Sequence, residues 1–194
     1  MDKLHITKEE INHLPIGYYR GDTEIVDELK NVSKAINMIN KYHLIGFDTE
    51  TKPAFKRGTK NPVSLVQLAI PNKVFLFRIN NMGLPDDLLK IFTNPKKKLI
   101  GLALRDDIKD LQDLKYFLPN GFIELSAITK ELGILNAGAR GLAGLFLNMR
   151  ISKSQQTSNW ENPKLTEKQI RYAATDAWLC LEIYEHLQAK GYIK

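Results

Sequence analysis

The chain contains one cysteine, Cys180, and no apolar run as long as a membrane-spanning helix. A single cysteine excludes an intrachain disulfide and a zinc site built from several thiolates. Because Cys180 lies between leucines in a helical pattern, we interpret it as a packing residue. A membrane-spanning helix needs about 20 consecutive apolar residues, and the N-terminus also lacks an apolar signal core. We therefore expect a soluble, cytoplasmic protein that does not bind membranes.

Internal repeats and low-complexity segments are also missing from the 194 residues. A hydrophobic content of 43% in a chain of this length suits one well-buried core. We predict a single domain over residues 1–194, with an N-terminal arm at 1–23 and the folded core at 24–194. The net charge of +6 permits a polyanionic partner without requiring one, because the lysines are spread along the chain.

Hydrophobic periodicity predicts an α/β fold with a mixed sheet flanked by helices. Helices are expected at residues 24–41, 85–92, 105–118 and 167–189, and strands at 44–47, 63–70, 74–79, 98–104 and 122–125. The short links between the first three strands indicate antiparallel neighbours. The stretch 151–163 reads as a long loop, and such loops in compact domains are often functional.

Two acidic residues, Asp48 and Glu50, follow an apolar run at the end of the first predicted strand. Residues two apart in a strand project from the same face, so one metal ion can contact both carboxylates. The alternative is that these residues simply begin a polar loop.

A third acid, Asp176, lies on the apolar side of the last predicted helix, one turn after Tyr172. Thr166 and Gln169 form a capping-box pattern that places the helix start. The helical neighbours of Asp176 three and four positions away are not cationic, so its partner must come from another segment. Tyr172 can position or deprotonate an attacking water beside divalent cations, or it can be an ordinary buried tyrosine.

The fourth acid is Asp107, which falls on the apolar stripe of the 105–118 helix; Asp106 does not. Its alternative role is that of a helix N-cap. Four inward-facing acids suit two Mg²⁺ or Mn²⁺ ions about 4 Å apart, which clamp the attacking and leaving oxygens of an in-line displacement. Oxygen ligands without histidine or cysteine argue against zinc.

These motifs resemble the DEDDy 3′-5′ exonucleases of the DnaQ-like group, whose fold is ribonuclease-H-like. The pattern comprises Asp48-Thr49-Glu50, Asp107 followed by Leu111, and Tyr172-x-x-x-Asp176 in the family order. Further segments, including the Ser158-Asn159-Trp160 run, are most similar to the Werner-syndrome-type exonuclease domain and ribonuclease D. The resemblance implies that Asp48, Glu50 and Asp176 hold one metal, Asp48 bridges to the second, and Asp107 acts on the second ion. It also implies that Tyr172 orients the water.

Substrate contacts are expected from the basic loop after the first motif and from the 151–163 loop. Trp160 is a candidate for base stacking, or it anchors its own loop. The candidate phosphate-binding residues are Lys52, Lys56, Arg57, Lys60, Lys153 and Ser154, for which a solvated surface is the alternative.

We expect a 3′-5′ exonuclease acting on single-stranded or recessed 3′ ends, with DNA favoured over RNA. The alternatives are a ribonuclease D-like RNA-trimming enzyme and a catalytically silent nucleic-acid-binding domain. A silent domain would be expected to have lost one of the five site residues. Gly138-Ala139-Arg140-Gly141 lacks the Gly-Lys-Ser/Thr ending of a phosphate-binding P-loop.

Overall fold

The computed structural model describes residues 4–56, 58–135 and 138–193. Its sheet has the strand order β1-β4-β3-β2-β5-β6. The strands are β1 (Asp22–Val26), β2 (Leu44–Thr51), β3 (Val63–Ile70), β4 (Lys73–Phe77), β5 (Lys98–Gly101) and β6 (Phe122–Glu124). Strands β2, β3 and β4 form an antiparallel meander, whereas β1, β5 and β6 each pair in parallel with a neighbour. The predicted mixed sheet and its antiparallel start are confirmed.

Helices lie on both sides of this sheet. They are α1 (Lys8–His13), α2 (Leu29–Ile39), α3 (Ile79–Met82), α4 (Asp86–Phe92), α5 (Leu104–Leu114), α6 (Leu125–Glu131), α7 (Ala139–Leu147) and α8 (Glu167–Ala189). None of the helices in the described part of the chain is both long and apolar enough to cross a bilayer. The bounds predicted for α8 are confirmed, and Thr166 and Gln169 form the expected capping box.

The N-terminal region differs from the prediction. Residues 22–26 form strand β1, which pairs in parallel with β4, so the helix predicted at 24–41 begins only at Leu29. The arm also contains α1, whose start is fixed by reciprocal hydrogen bonds between Thr7 and Glu10. That Thr-x-x-Glu capping pattern is a signal that could have predicted the helix. β1 carried no such signal, because its pairing depends on a strand distant in sequence.

Helix α8 approaches β2 closely because the residues between them are small. A Cβ atom added to Gly46 would lie 2.0 Å from the carbonyl oxygen of Ala177, so any other side chain there would displace the helix. Ala173 and Ala174 of α8 are also buried, within a cluster that includes Leu65 of β3. This packing sets Asp176, the neighbour of Ala177, above the strand that carries Asp48.

The opposite face of the sheet holds the larger core. Phe47 packs edge-on against Phe92 and Phe122, with ring centroids 5.8 and 5.2 Å apart. Burying such aromatic side chains contributes roughly 2–3 kcal/mol each. Because Phe47 lies between Gly46 and Asp48, its burial fixes which face of β2 the acids occupy.

Candidate active site

Strand β2 and helix α8 bring three carboxylates together. Oxygen atoms of Asp48, Glu50 and Asp176 lie within 4.8 Å of one another. Both β2 acids belong to the strand and pair in register with Gln67 and Leu65 of β3, so the alternative that they begin a polar loop is wrong. The three groups keep some accessible surface while lying largely within the protein.

Asp107 approaches this group from the first turns of α5. The hydroxyl of Thr49 donates a hydrogen bond to the Asp107 carboxylate, which links the helix to the strand between the other two acids. The N-cap position of α5 is Ala103, so the N-cap alternative for Asp107 is wrong. The negative charge of Asp107 contributes to raising the pKa values of both Asp48 and Glu50.

The orientation of α5 depends on Glu124, a residue that none of the sequence motifs placed in the site. Its carboxylate accepts hydrogen bonds from the backbone N–H groups of Ala103 and Leu104 at 3.1 and 2.8 Å. Ala103 has a left-handed backbone with φ of 59°, so the chain turns sharply between β5 and α5. Burial raises the pKa of Glu124, but hydrogen bonds to Ser126, Leu104 and Ala103 outweigh it, and the net pKa is lowered. An ionised Glu124 therefore caps the helix that carries Asp107.

Burial and mutual repulsion raise the pKa values of the central carboxyl groups. Burial, followed by the charges of Asp176 and Asp107, raises the pKa of Glu50 to about 9. Burial also raises the pKa of Asp176 to about 7 and that of Asp107 to about 6, although hydrogen bonds from Tyr172 and Thr49 lower them. The pKa of Asp48 is well above its ordinary value, first through burial and then through its three acidic neighbours. In the described part of the chain, none of the four acids forms a salt bridge.

This donor set fits hard divalent cations. Oxygen ligands are those that Mg²⁺ and Mn²⁺ prefer, and a cation would relieve the repulsion that raises the carboxyl pKa values. The cluster is therefore able to bind a divalent metal ion.

Tyr172 lies directly beside the acids. Its hydroxyl donates a hydrogen bond to Asp176, and burial together with the charges of Asp176 and Glu50 raises its pKa strongly. In the metal-free protein the phenol is thus a protonated hydrogen-bond donor at neutral pH. The ring also lies 6.0 Å from that of Trp160.

Trp160 is wholly inaccessible, with 0% of its surface exposed. A base cannot stack on a side chain in that position, so the structure favours the alternative of a loop anchor. The predicted loop at 151–163 is confirmed. Its end is held by Arg78, which donates to the carbonyl oxygen of Pro163 at 2.8 Å, and by Gln169, which donates to that of Asn159 at 3.0 Å.

The predicted phosphate-binding residues have different surroundings. Lys52 forms a 2.9 Å ion pair with Glu161, and Lys60 pairs with Asp110. Lys56 is exposed, and Arg57 lies outside the described residues. Lys153 approaches the carboxylates, since its charge contributes to lowering the pKa of Asp176.

Two cavities flank Tyr172 and Asp176. One, of 170 Å³, contains Asp48, Lys153 and the buried Cys180 in its wall. The other, of 240 Å³, is bounded by α8, by Ser152 and Ser154 of the loop, and by residues 16–18 of the N-terminal segment. Because both cavities share Tyr172 and Asp176, they form two parts of one cleft at the acidic cluster.

A mixed six-stranded sheet flanked by helices, with acids on its inner strand β2 and on α8, is an architecture of the ribonuclease H-like fold. A family model described as 3′-5′ exonuclease matches residues 23–191. The chain belongs to the 3′-5′ exonuclease family, as the motifs predicted.

Relatives of this chain include larger proteins. It is 35% identical over 156 residues to the bifunctional 3′-5′ exonuclease/ATP-dependent helicase WRN of Mus musculus, covering 76% of this chain and 11% of the relative. Ribonuclease D of Haemophilus influenzae is 27% identical over 168 residues, covering 84% of this chain and 41% of the relative. Among solved structures, the Nibbler EXO domain of Aedes aegypti superposes with a TM-score of 0.80 at 25% identity, covering 90% of this chain and 92% of that one.

Proposed function

We propose that this chain is a two-metal exonuclease that removes nucleoside 5′-monophosphates from the 3′ end of DNA. The observation that carries the proposal is the convergence of Asp48, Glu50 and Asp176 within 4.8 Å, with Asp107 linked to them through Thr49. Asp48, Glu50 and Asp176 would hold one Mg²⁺ or Mn²⁺ ion, and Asp48 and Asp107 the second. When bound, two such ions supply Lewis-acid stabilisation of the attacking and leaving oxygens.

In this proposal Tyr172 orients the attacking water. Its strongly raised pKa means that the phenol is present as a neutral donor, which suits orientation better than proton removal. The ring of Trp160, 6.0 Å from that of Tyr172, supports it. Lys153 lies where it can offset the negative charge of a strand entering the cleft.

The polarity and products are tested with 5′-labelled single strands and recessed 3′ ends in the presence of Mg²⁺ or Mn²⁺. We expect stepwise shortening, release of 5′-monophosphates, and arrest at a 3′-phosphate that adds charge where the terminal hydroxyl binds. Chelator and Asp176→Asn serve as controls, and both should abolish cleavage. Endonucleolytic products, or undiminished cleavage in chelator, would contradict the proposal.

The preference for DNA rests on similarity to a domain of the WRN protein. The second candidate is an RNA-trimming enzyme, favoured by the similarity to ribonuclease D. Matched single-stranded DNA and RNA of one sequence separate the two, since the 2′-hydroxyl is the group a protein uses to tell them apart. If RNA is degraded at least about tenfold faster than DNA, the RNA-trimming function replaces the proposed preference for DNA. A catalytically silent domain would bind both strands and cleave neither.

A further inference from the structure

A nuclease with four clustered acids needs cations nearby to hold a polyanionic strand. Two of the basic residues that follow the first motif already have acidic partners, Glu161 for Lys52 and Asp110 for Lys60. The wall of the 240 Å³ cavity instead carries Lys168 and Arg171, two exposed cations without a salt-bridge partner among the described residues.

Arg171 is held in place by an aromatic ring. Its guanidinium carbon lies 4.3 Å from the ring centroid of Tyr18. The backbone on either side of Tyr18 is itself fixed: the Gly17 N–H donates to the carbonyl of Arg150 at 2.9 Å, and the Tyr19 N–H donates to the Thr175 hydroxyl at 3.0 Å. A stacked guanidinium keeps the N–H groups at its edge available for a phosphate.

We propose that Arg171, together with Lys168 and Ser154, binds a non-scissile backbone phosphate of the nucleic-acid strand, and that Tyr18 positions Arg171 for this contact. The inference rests on the proposed function, because it assumes that a nucleic-acid strand enters the cleft that Tyr172 and Asp176 line. Arg171 thereby compensates for the repulsion between the acidic cluster and the strand.

The test compares Arg171→Ala with Arg20→Ala. Arg20 is a matched control because its guanidinium lies 5.1 Å from the same Tyr18 ring but does not line the 240 Å³ cavity. Binding of a labelled single-stranded DNA 12-mer is measured without divalent metal between 50 and 200 mM salt. Arg171→Ala should weaken binding about tenfold at the lowest salt and reduce the slope of log K against log salt by about 0.7. Arg20→Ala should leave both unchanged.

Variants of Tyr18 test whether its ring positions Arg171, and a substrate with a single phosphate tests whether Arg171 contacts the scissile phosphate. Tyr18→Leu should weaken binding by about threefold, and Tyr18→Phe should restore it because the ring is kept. The p-nitrophenyl ester of thymidine 5′-monophosphate has no non-scissile phosphate, so the loss of kcat/KM in Arg171→Ala should be smaller on this ester than on the 12-mer.

Parental affinity and salt slope in Arg171→Ala would overturn this inference, as would equal losses on the ester and the 12-mer. If the parent binds the 12-mer through Arg171 but hydrolyses neither substrate, the proposed activity is wrong while the phosphate site stands.

A second observation concerns Gln67, which is fully buried in the middle of β3. Both polar atoms of its amide lack a hydrogen-bond partner in the described part of the chain. Each unsatisfied buried group costs about 1–3 kcal/mol, so a partner is expected in the functional state. The two residues opposite Gln67 are Asp48 on β2 and Leu76 on β4. Asp48 is thus its polar cross-strand neighbour.

We infer that Gln67 is a positioning residue, whose amide donates a hydrogen bond to Asp48 when that carboxylate holds a metal ion. Side chains directly opposite in adjacent antiparallel strands have Cβ atoms about 5 Å apart, which is within reach of a glutamine amide. Groups that orient a metal ligand in this way raise metal affinity by about tenfold or more.

Gln67→Met tests the inference because methionine has a similar shape without the amide. In chelator this variant should melt at the parental temperature or above it, since an unsatisfied group is removed. Its Mn²⁺ dissociation constant, measured by calorimetry, should rise about tenfold. Ser64→Ala is the control: it removes another unsatisfied buried group from β3, on the opposite face, and should leave Mn²⁺ affinity unchanged.

Parental Mn²⁺ affinity in Gln67→Met would overturn the positioning role. A large loss of stability of Gln67→Met in chelator would overturn it as well, because it would show that the Gln67 amide already has a hydrogen-bond partner in the metal-free protein. If the parent itself binds no Mn²⁺, the proposed metal site fails and this inference fails with it.

Discussion

Removing the Asp176 charge should stabilise the metal-free protein. Burial raises the pKa of this carboxyl from 3.8 to about 7, so above pH 7 its ionisation opposes folding by about 4 kcal/mol. Asparagine removes that cost and keeps an oxygen that accepts a hydrogen bond, although the bond from Tyr172 becomes weaker by about 1–2 kcal/mol. The expected net gain for Asp176→Asn at pH 8 is therefore about 2 kcal/mol.

The sign of this effect depends on pH. An acid whose folded-state pKa is raised destabilises the fold fully above that pKa, and not at all below the unfolded-state value. The gain should therefore be complete at pH 8 and absent at pH 3. For a domain of this size, about 2 kcal/mol corresponds to a rise of about 4–8 °C in melting temperature.

Thermal melts with chelator and with Mn²⁺ provide the assay. Saturating Mn²⁺ should reverse the order, because ligand at about 100 times its Kd adds roughly 2.7 kcal/mol to the parent and little to the variant. Asp113→Asn, at an exposed position on α5, is the matched control and should melt like the parent in both buffers. If Asp176→Asn melts well below the metal-free parent at pH 8, the Asp176 carboxylate stabilises the fold by pairing with a cationic group, and this prediction is wrong.

Four further outcomes are expected. Tyr172→Phe should lower kcat by a factor of about 10², with little change in the Mn²⁺ affinity measured by calorimetry. Full activity of this variant would show that Tyr172 is only a packing residue. Gly46→Ala should lower the free energy of unfolding in urea by about 3 kcal/mol or more, because the added Cβ atom meets the Ala177 carbonyl. The same substitution should weaken Mn²⁺ binding. Gly138→Ala is the control, because a Cβ atom added there has open space around it. Trp160→Ala should cost about 3–5 kcal/mol while DNA affinity at low temperature stays within about twofold, whereas a lost affinity at full stability would support base stacking. In chelator the parent should have a lower melting temperature at pH 9 than at pH 6. In the folded protein Asp176 and Glu50 ionise at pKa values of about 7 and about 9, well above those of the unfolded chain, so their ionisation destabilises the fold as the pH rises. A melting temperature that does not change with pH would show that the pKa values of these carboxyl groups are not raised.

Local patterns in the sequence were enough to predict the family and most of the central architecture. The motifs around Asp48, Asp107 and Asp176 depend on spacing within one strand or helix, which is visible in a single segment. Helix α8 was predicted correctly for the same reason, since its capping box and its apolar positions are all local. Trp160 remained ambiguous, because composition does not distinguish a base-stacking tryptophan from a buried one.

Features that depend on distant contacts were decided only by the tertiary structure. Strand β1 exists because it pairs with β4, and the capping of α5 depends on Glu124, 21 residues beyond Ala103. Likewise Arg171 appears as an ordinary surface cation until the N-terminal segment places Tyr18 beneath it. The residue types that carry the chemistry could be predicted from single segments, because helix and strand periodicity are local properties. Packing across the sheet determined their distances and their pKa values, because burial and charge–charge repulsion arise only when separate segments come together.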